Sequence, residues 1–483
     1  MQRINNKRTL VDAGLGVLIF FVGYFIPGIG VITSAGMFVL GAFIAILYGF
    51  VRNISGWYAL GLMILYSVLS RQNFNNAFFP QLMGNNMVWV LVFVFWYAAS
   101  LQSSGLLKYL ATKILGLKIA KRGPYGLMFV FLIATWISSV VTQSVMAPLI
   151  LMLGVLKNVA EELEIEQYCT WTVITGVGCG LCNIVGCIVL PFAATPLLSF
   201  SLIQATLGTQ VRPEFFPYFM QLLLTSILMI AAIILVTKFL IRPKVEMNNI
   251  SELKSLNAGD VKLTKPMKWC ILSLIVLVLI LMLPSLLPAS WAFVQLLNQI
   301  GIIGAFGIAL IICCFARDEE GGTLFNFANK AQLSAQWSLI LTFALLFFLG
   351  GILNGEDTGI SLFLVNIAKP FSSMNPLLLI CALCILMTIL TNVINNFITI
   401  LVVAPIGFVV LGFDSVYTAI FTTMAMLSSS IAIALPSAST SAIVVHAEKE
   451  MFKTSQLMKW GYLFALISVV LGCGVMYITK GFF

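Results

Sequence analysis

Charge is what this sequence has least of. Lys, Arg, Asp and Glu make up 9% of its 483 residues, and His446 is its single histidine. Soluble domains are about one quarter charged, so a water-facing globular fold is excluded. Strand-like alternation is missing as well, which argues against a membrane β-barrel. There is no G-x-S-x-G, no H-E-x-x-H and no pair of intramembrane aspartates, so hydrolase and protease chemistry has no seat here. No basic and aromatic pattern suits a nucleic acid. No Asp or Glu lies deep in an apolar run, which disfavours a proton antiporter built on a buried carboxylate, and no buried Lys or Arg stands ready to neutralise an anion.

What is present is apolar length. The chain is 60% hydrophobic, its mean hydropathy is +1.06, and its apolar runs match the roughly 20 residues that cross a bilayer as helix. Spans are expected near 11–31, 33–51, 57–70, 86–103, 168–204, 217–241, 268–288, 295–315, 335–354, 416–446 and 457–480. The first follows Arg3, Lys7 and Arg8 but carries no small-residue cleavage pattern, so it reads as a retained helix and not a signal peptide. Of the ten cysteines, Cys179 with Cys182 and Cys381 with Cys384 have C-x-x-C spacing. No histidine or carboxylate nearby completes a metal site, and they read as small hydrophobes.

With a cytoplasmic N-terminus, only Arg71, Arg212, Lys369 and Lys480 of the 26 basic residues fall outside. That is a strong positive-inside pattern. It predicts a multi-pass protein of the plasma (inner) membrane whose C-terminus is extracytoplasmic. The formal charge of +9 then reflects loops held against the anionic leaflet of the lipid bilayer, with no nucleic-acid partner. Glu161, Glu162, Glu164, Glu166, Glu356 and Asp357 read as solvated faces at span ends.

The longest hydrophilic segment, 242–267, divides the chain into halves 1–241 and 268–483. "LQSSGLLKYLATKI" (101–114) pairs with "LNGEDTGISLFLVNIA" (353–368), each a span end, a polar pair, a glycine and a short amphipathic helix. "ISSVVTQSVMAPLILML" (137–153) pairs with "INNFITILVVAPIGFVV" (394–410), Pro148 opposite Pro405. "LPFAATP" (190–196) pairs with "LPSASTS" (435–441). An odd number of crossings separates the partners, so the repeats are inverted, a signature of secondary transporters. The expected fold is an all-α polytopic membrane protein with about 11 transmembrane helices plus two re-entrant helical hairpins in two inverted-topology repeats.

The hairpins are 125–157 and 376–410, too long for a single simple span of about 20 residues. Non-helical backbone at that depth survives only inside protein or beside a watery cavity. Their tips are expected at Ser138, Ser139 and Thr142, and at Asn392, Asn395 and Asn396. Two further spans, 168–204 and 416–446, are interrupted. The first carries Gly176, Gly178, Gly180, Asn183 and Gly186, and the second has Pro436 followed by Ser437, Ala438, Ser439 and Thr440. Unwinding there frees carbonyls for a cation and helix N-termini for an anion. The polar residues could instead only join helices, and close packing could account for the glycines.

These residues together resemble the divalent anion:sodium symporter (DASS) family of the ion transporter superfamily. In that family each hairpin tip carries Ser-Asn-Thr at a fixed distance before a proline. Here the same positions hold Ser138-Ser139-Val140 and Asn395-Asn396-Phe397, so this is a divergent member without the Thr. The family's Thr-Pro-Pro-Asn pattern is approximated by 435–444.

The resemblance implies a homodimer in which spans 11–51 and 268–315 form the scaffold. The hairpins and interrupted spans would slide as an elevator, braced by amphipathic helices near 105–118 and 359–370. It implies Na+ held by Ser138, Ser139, Asn183, Gly186, Asn395, Asn396, Ser437 and Ala438. A small anion, di- or tricarboxylate-like or an inorganic oxyanion, would lie against Ser138, Ser139, Thr142, Asn395, Asn396, Ser439 and Thr440. Neutral oxygens suit a hard monovalent cation, which also favours sodium as the coupling ion. The expected function is therefore sodium-coupled anion import without enzymatic activity. An antiporter or efflux carrier of the same superfamily is the alternative, ahead of a channel or an intramembrane enzyme.

Overall fold

The computed structural model describes residues 6–52, 54, 56–207, 214–245, 262–317, 322–326, 336–353, 355–394, 396–412 and 415–482. These residues are helical and contain no strand beyond two isolated bridges. In hydrocarbon only a helix or a closed barrel satisfies every backbone polar group, and this apolar sequence takes the first solution.

The chain opens with α1 (Asn6–Phe25), α2 (Ser34–Val51) and α3 (Gly56–Leu69). Helices α1 and α2 touch backbone to backbone, since a Cβ added at Gly23 would lie 2.5 Å from the Gly41 Cα. Arg52 bridges both oxygens of Asp12 at 2.8 and 2.9 Å, and Tyr48 donates to the same carboxylate at 3.2 Å. The start of α1 and the end of α2 therefore share one level. A short α4 (Phe79–Met83) leads into α5 (Asn86–Ser103) and the amphipathic α6 (Leu106–Leu115).

The next helices are α7 (Pro124–Thr142), α8 (Ala147–Glu162), α9 (Thr170–Ile188), α10 (Ala194–Leu207) and α11 (Phe215–Leu235), followed by α12 (Lys265–Met282), α13 (Ala292–Phe315) and α14 (Trp337–Leu353). After α14 come the second amphipathic helix α15 (Ile360–Ala368), then α16 (Pro376–Thr391), α17 (Asn396–Leu411), α18 (Val416–Ser430), α19 (Thr440–Ala447) and α20 (Thr454–Thr479). Among the described residues seven helices are long and apolar enough to cross a bilayer. An eighth is added if α15 with its following turn and α16, bent by 113°, count as one span. Five shorter apolar helices accompany them, within α1, α2, α3, α14 and α17.

Helix α9 is the axis of one packed group. From Trp171 to Ile188 every residue is buried, as expected of a helix apolar all round and enclosed by protein. Helices α7, α8, α11, α19 and α20 pack on it, while α16 packs on α17, α18 and α20. A second group joins α1 to α2, α2 and α3 to α14, and α13 to α12 and α5, and α10 bridges the groups by touching α14, α5 and α17.

The two amphipathic helices begin alike. Gly105 and Gly359, just before α6 and α15, have φ of +76° and +70°, a conformation that disfavours any side chain. At Gly359 an added Cβ would also lie 1.8 Å from the Val31 carbonyl oxygen. The preceding hydroxyl turns back in both cases. Ser104 accepts from the Leu106 N–H at 3.1 Å and Thr358 from the Ile360 N–H at 3.3 Å.

Candidate functional site

Both long polar-centred runs break, but in different registers. The first helix of the pair 125–157 runs through Ser138 and Ser139 to Thr142. The turn is 143–146, where Gln143 takes φ 51°. Ser138, Ser139 and Thr142 thus occupy the last turns of α7 and not the turn itself. In 376–410 the turn comes directly after Thr391 and α17 already starts at Asn396. The matched prolines explain the difference. Pro148 stands in the first turn of α8, where its missing N–H costs nothing, whereas Pro405 lies inside α17. Asn395 lies outside the described residues.

The interrupted spans break as well, between Ile188 and Ala194 and between Ser430 and Thr440. The glycines of α9 do not mark its break, because the helix is continuous through all of them. They let neighbours approach. A Cβ at Gly186 would lie 2.8 Å from both the Ser139 Cβ and the Trp136 carbonyl oxygen, and one at Gly180 would lie 2.6 Å from the Ile433 Cδ1. Gly186→Ala is therefore expected to push α9 from α7 at a cost of about 1–3 kcal/mol. Thermal unfolding of the purified variant would measure it.

Two asparagines lace the breaks together. Asn392 ends α16 fully buried. Its amide nitrogen donates to the carbonyls of Thr388 at 2.8 Å and Ile431 at 2.9 Å. Its oxygen accepts from the N–H groups of Ile433 at 3.0 Å and Ala434 at 2.9 Å. One side chain thereby bonds three backbone groups of the unwound stretch after α18. Asn183 does the corresponding work from the other side. It donates to the Ser139 Oγ at 2.8 Å and more weakly to the Ser144 carbonyl at 3.4 Å, and it accepts from the Ser441 Oγ at 2.8 Å. Ser139 in turn donates to the Thr135 carbonyl at 2.7 Å, and Thr142 to that of Ser138 at 2.7 Å. The Ser138 hydroxyl is fully buried and has no partner among the described residues.

Between these joints lies a cavity of about 390 Å³. One part of its wall is polar. Ser430 comes from the end of α18, Ser437 and Ser439 from the break that follows, Thr440 and Ser441 from the start of α19, Asn396 from the start of α17 and Thr195 from α10. Ser439 caps α19 by accepting from the Ala442 N–H at 3.0 Å and also donates to the Ala432 carbonyl. The Ser430 hydroxyl is buried without a partner among the described residues. The rest of the wall is mostly apolar, with Val145, Ile184, Ile188, Ile443, Phe50 and Phe397 beside Cys187. Among the described residues no Lys, Arg, His, Asp or Glu lines it.

The structure thus brings Asn396, Ser437, Ser439 and Thr440 to one cavity. It sets Ser138, Ser139, Thr142, Asn183, Gly186 and Ala438 behind the wall, with Asn183 joined to the lining residue Ser441. Sequence reasoning did not single out Ser430, Ser441 or Phe50. The first two stand in the polar run 428–446, whereas nothing local to Phe50 marks it.

The citrate transporter family profile (CitMHS) matches residues 54–434. A sequence comparison with curated proteins finds no match. Among solved structures, the YdaH transporter of Alcanivorax borkumensis, described as having an unusual topology, shares the fold with a TM-score of 0.57 at 14% identity. That match covers 91% of this chain and 98% of the other. MtrF of Neisseria gonorrhoeae, described with a class of antimetabolite efflux pumps, matches with a TM-score of 0.54 at 14% identity, over 97% and 94% of the two chains.

Proposed function

This chain belongs to the citrate transporter family, and we propose that it is a secondary carrier that imports a small anion together with sodium. The observation that carries this reading is the cavity where both broken spans and the start of α17 meet, lined on one side by hydroxyls and an amide and, among the described residues, by no charged side chain. A neutral wall can hold an anion's oxygens but carries no full positive charge, so a cation bound alongside would offset the anion's charge.

Two features behind the wall fit sodium. The Gly186 carbonyl is among the last carbonyls of α9, where the helix dipole favours a cation. On α7, next in sequence to the Ser139 that packs on Gly186, the Ser138 hydroxyl is buried and has no partner among the described residues. Asn183 is better suited to bracing, because both ends of its amide are engaged. On the other side Asn396, Ser437 and the Ala438 carbonyl supply the corresponding oxygens, with Asn395 beside them in sequence. Bound sodium would supply positive charge to the anion, while the protein's own groups orient it. Ser439 and Thr440, at the start of α19, offer a helix N-terminus to a carboxylate.

In this reading the halves 1–241 and 268–483 are inverted repeats. The group around α9 and α16 moves as an elevator against a dimeric scaffold that includes α1, α2, α12 and α13. The N-terminus is cytoplasmic and the C-terminus outside. Export is the alternative, favoured by the fold shared with MtrF, which is described as an efflux pump.

A thermal-shift screen of small carboxylates and oxyanions tests the reading. At 100 times its dissociation constant a ligand adds about 2.7 kcal/mol of stability. A shift that needs both anion and sodium supports cotransport, and anion shifts indifferent to sodium refute it. With no carboxylate, amine or imidazole among the described residues of the wall, a monocarboxylate's affinity should stay flat from about pH 6 to about pH 8, where such a cargo is itself fully ionised. The same screen repeated across that range checks this.

A further inference from the structure

The wall of the cavity also indicates the class of cargo. We propose that it is a singly charged carboxylate carrying an apolar body, of the aryl-acetate kind, in preference to a polycarboxylate. The inference rests on the proposal that cargo binds in this cavity, and it narrows that proposal.

Charge is the first ground. Hydroxyl donors gather at one place, the break between α18 and α19, where Ser430 keeps an unpartnered Oγ and Ser439 caps the start of α19. That is a seat for one carboxylate. A second or third carboxylate would have to face the remaining wall, where the described residues offer no cationic side chain. Each such charge would lose water and find only the Asn396 amide and the Thr195 hydroxyl as polar partners, too few to replace the hydration of a carboxylate.

Shape is the second ground. Phe50 of α2 and Phe397 of α17 both line the cavity, and their rings meet edge to face at 5.6 Å and 72°. Phe343 of α14 packs against both, at 5.6 Å and 77° from Phe50 and at 5.6 Å and 75° from Phe397. The two lining rings are thus held from behind in fixed orientation. Fixed ring edges and faces are a surface for an apolar or aromatic body. They offer nothing to a hydrated carboxylate. Phe397 also belongs to the group proposed to move and Phe50 to the proposed scaffold, so cargo lying against the pair of rings touches both.

The test compares phenylacetate, hexanoate, succinate and citrate as competitors for binding to the full-length protein in sodium buffer, with thermal shift as readout. Phenylacetate is expected to half-saturate at a concentration about tenfold or more below succinate and citrate. Phe397→Thr should bring that preference to about parity, and Phe397→Leu, which keeps apolar bulk, should preserve most of it. The inference is overturned if citrate or succinate binds more tightly than phenylacetate, a result that leaves sodium-coupled anion transport standing. It is also overturned if Phe397→Thr weakens all four acids equally, since the ring would then serve structure alone. Binding by none of a wider set of anions would overturn this inference and the proposed function together.

Discussion

Changing Asn392 to leucine is expected to abolish uptake and to destabilise the protein by about 3–9 kcal/mol. Leucine nearly matches asparagine in volume, so packing is kept and only the hydrogen bonds are removed. Those bonds serve three backbone groups of the unwound stretch, the Ile431 carbonyl and the N–H groups of Ile433 and Ala434. All three residues are fully or almost fully buried, and no water is at hand at that depth to replace the lost partner. Each orphaned group costs about 1–3 kcal/mol, and the sum is a large share of a typical folding free energy of about 5–15 kcal/mol. The break between α18 and α19 supplies most of the polar wall, so its collapse removes the seat for cargo. Thermal unfolding and uptake by reconstituted protein measure the two effects. A stable variant with normal uptake would show that other contacts hold the stretch.

Asn183→Leu is expected to separate function from stability. The amide links α7 through Ser139 to α19 through Ser441, residues 258 positions from Asn183 in sequence. Leucine leaves the Ser441 hydroxyl without its acceptor, but Ser139 keeps its bond to the Thr135 carbonyl. One orphaned neutral group costs about 1–3 kcal/mol, so the fold should survive. The link between the first joint and the cavity wall would not. Uptake is expected to fall about tenfold or more, and more sodium should be needed for half-maximal rate, because a coupling of about 1.4 kcal/mol is a tenfold change in affinity. Sodium titration of the uptake rate measures this. An unchanged sodium requirement would mean that the two joints act independently.

Much of the fold could be read from the sequence for a simple physical reason. Long apolar runs must become helices in a bilayer, and polar or proline-containing interruptions must be buried in protein or line a cavity. That reasoning locates the short helices after Gly105 and Gly359 and the polar wall at 435–441. It does not fix where a helix resumes. Pro148 and Pro405 look equivalent in sequence, yet one starts a helix and the other lies inside one, which moves the second turn onto Asn392. Nor does periodicity show what a buried amide bonds. Asn392 looks secondary to Asn396 until its four backbone partners are seen, and Gly186 looks like a cation ligand until its closeness to Ser139 shows a packing role as well. Phe50 joins the cavity wall only through tertiary packing, for which no local pattern exists.

The central claim is that movement of sodium down its gradient drives an anion through this cavity. The direct measurement is uptake into proteoliposomes of whichever anion gives the largest sodium-dependent thermal shift. The account predicts saturable uptake that accelerates several-fold when sodium is imposed outside only. Equal rates with the gradient present and absent would contradict it.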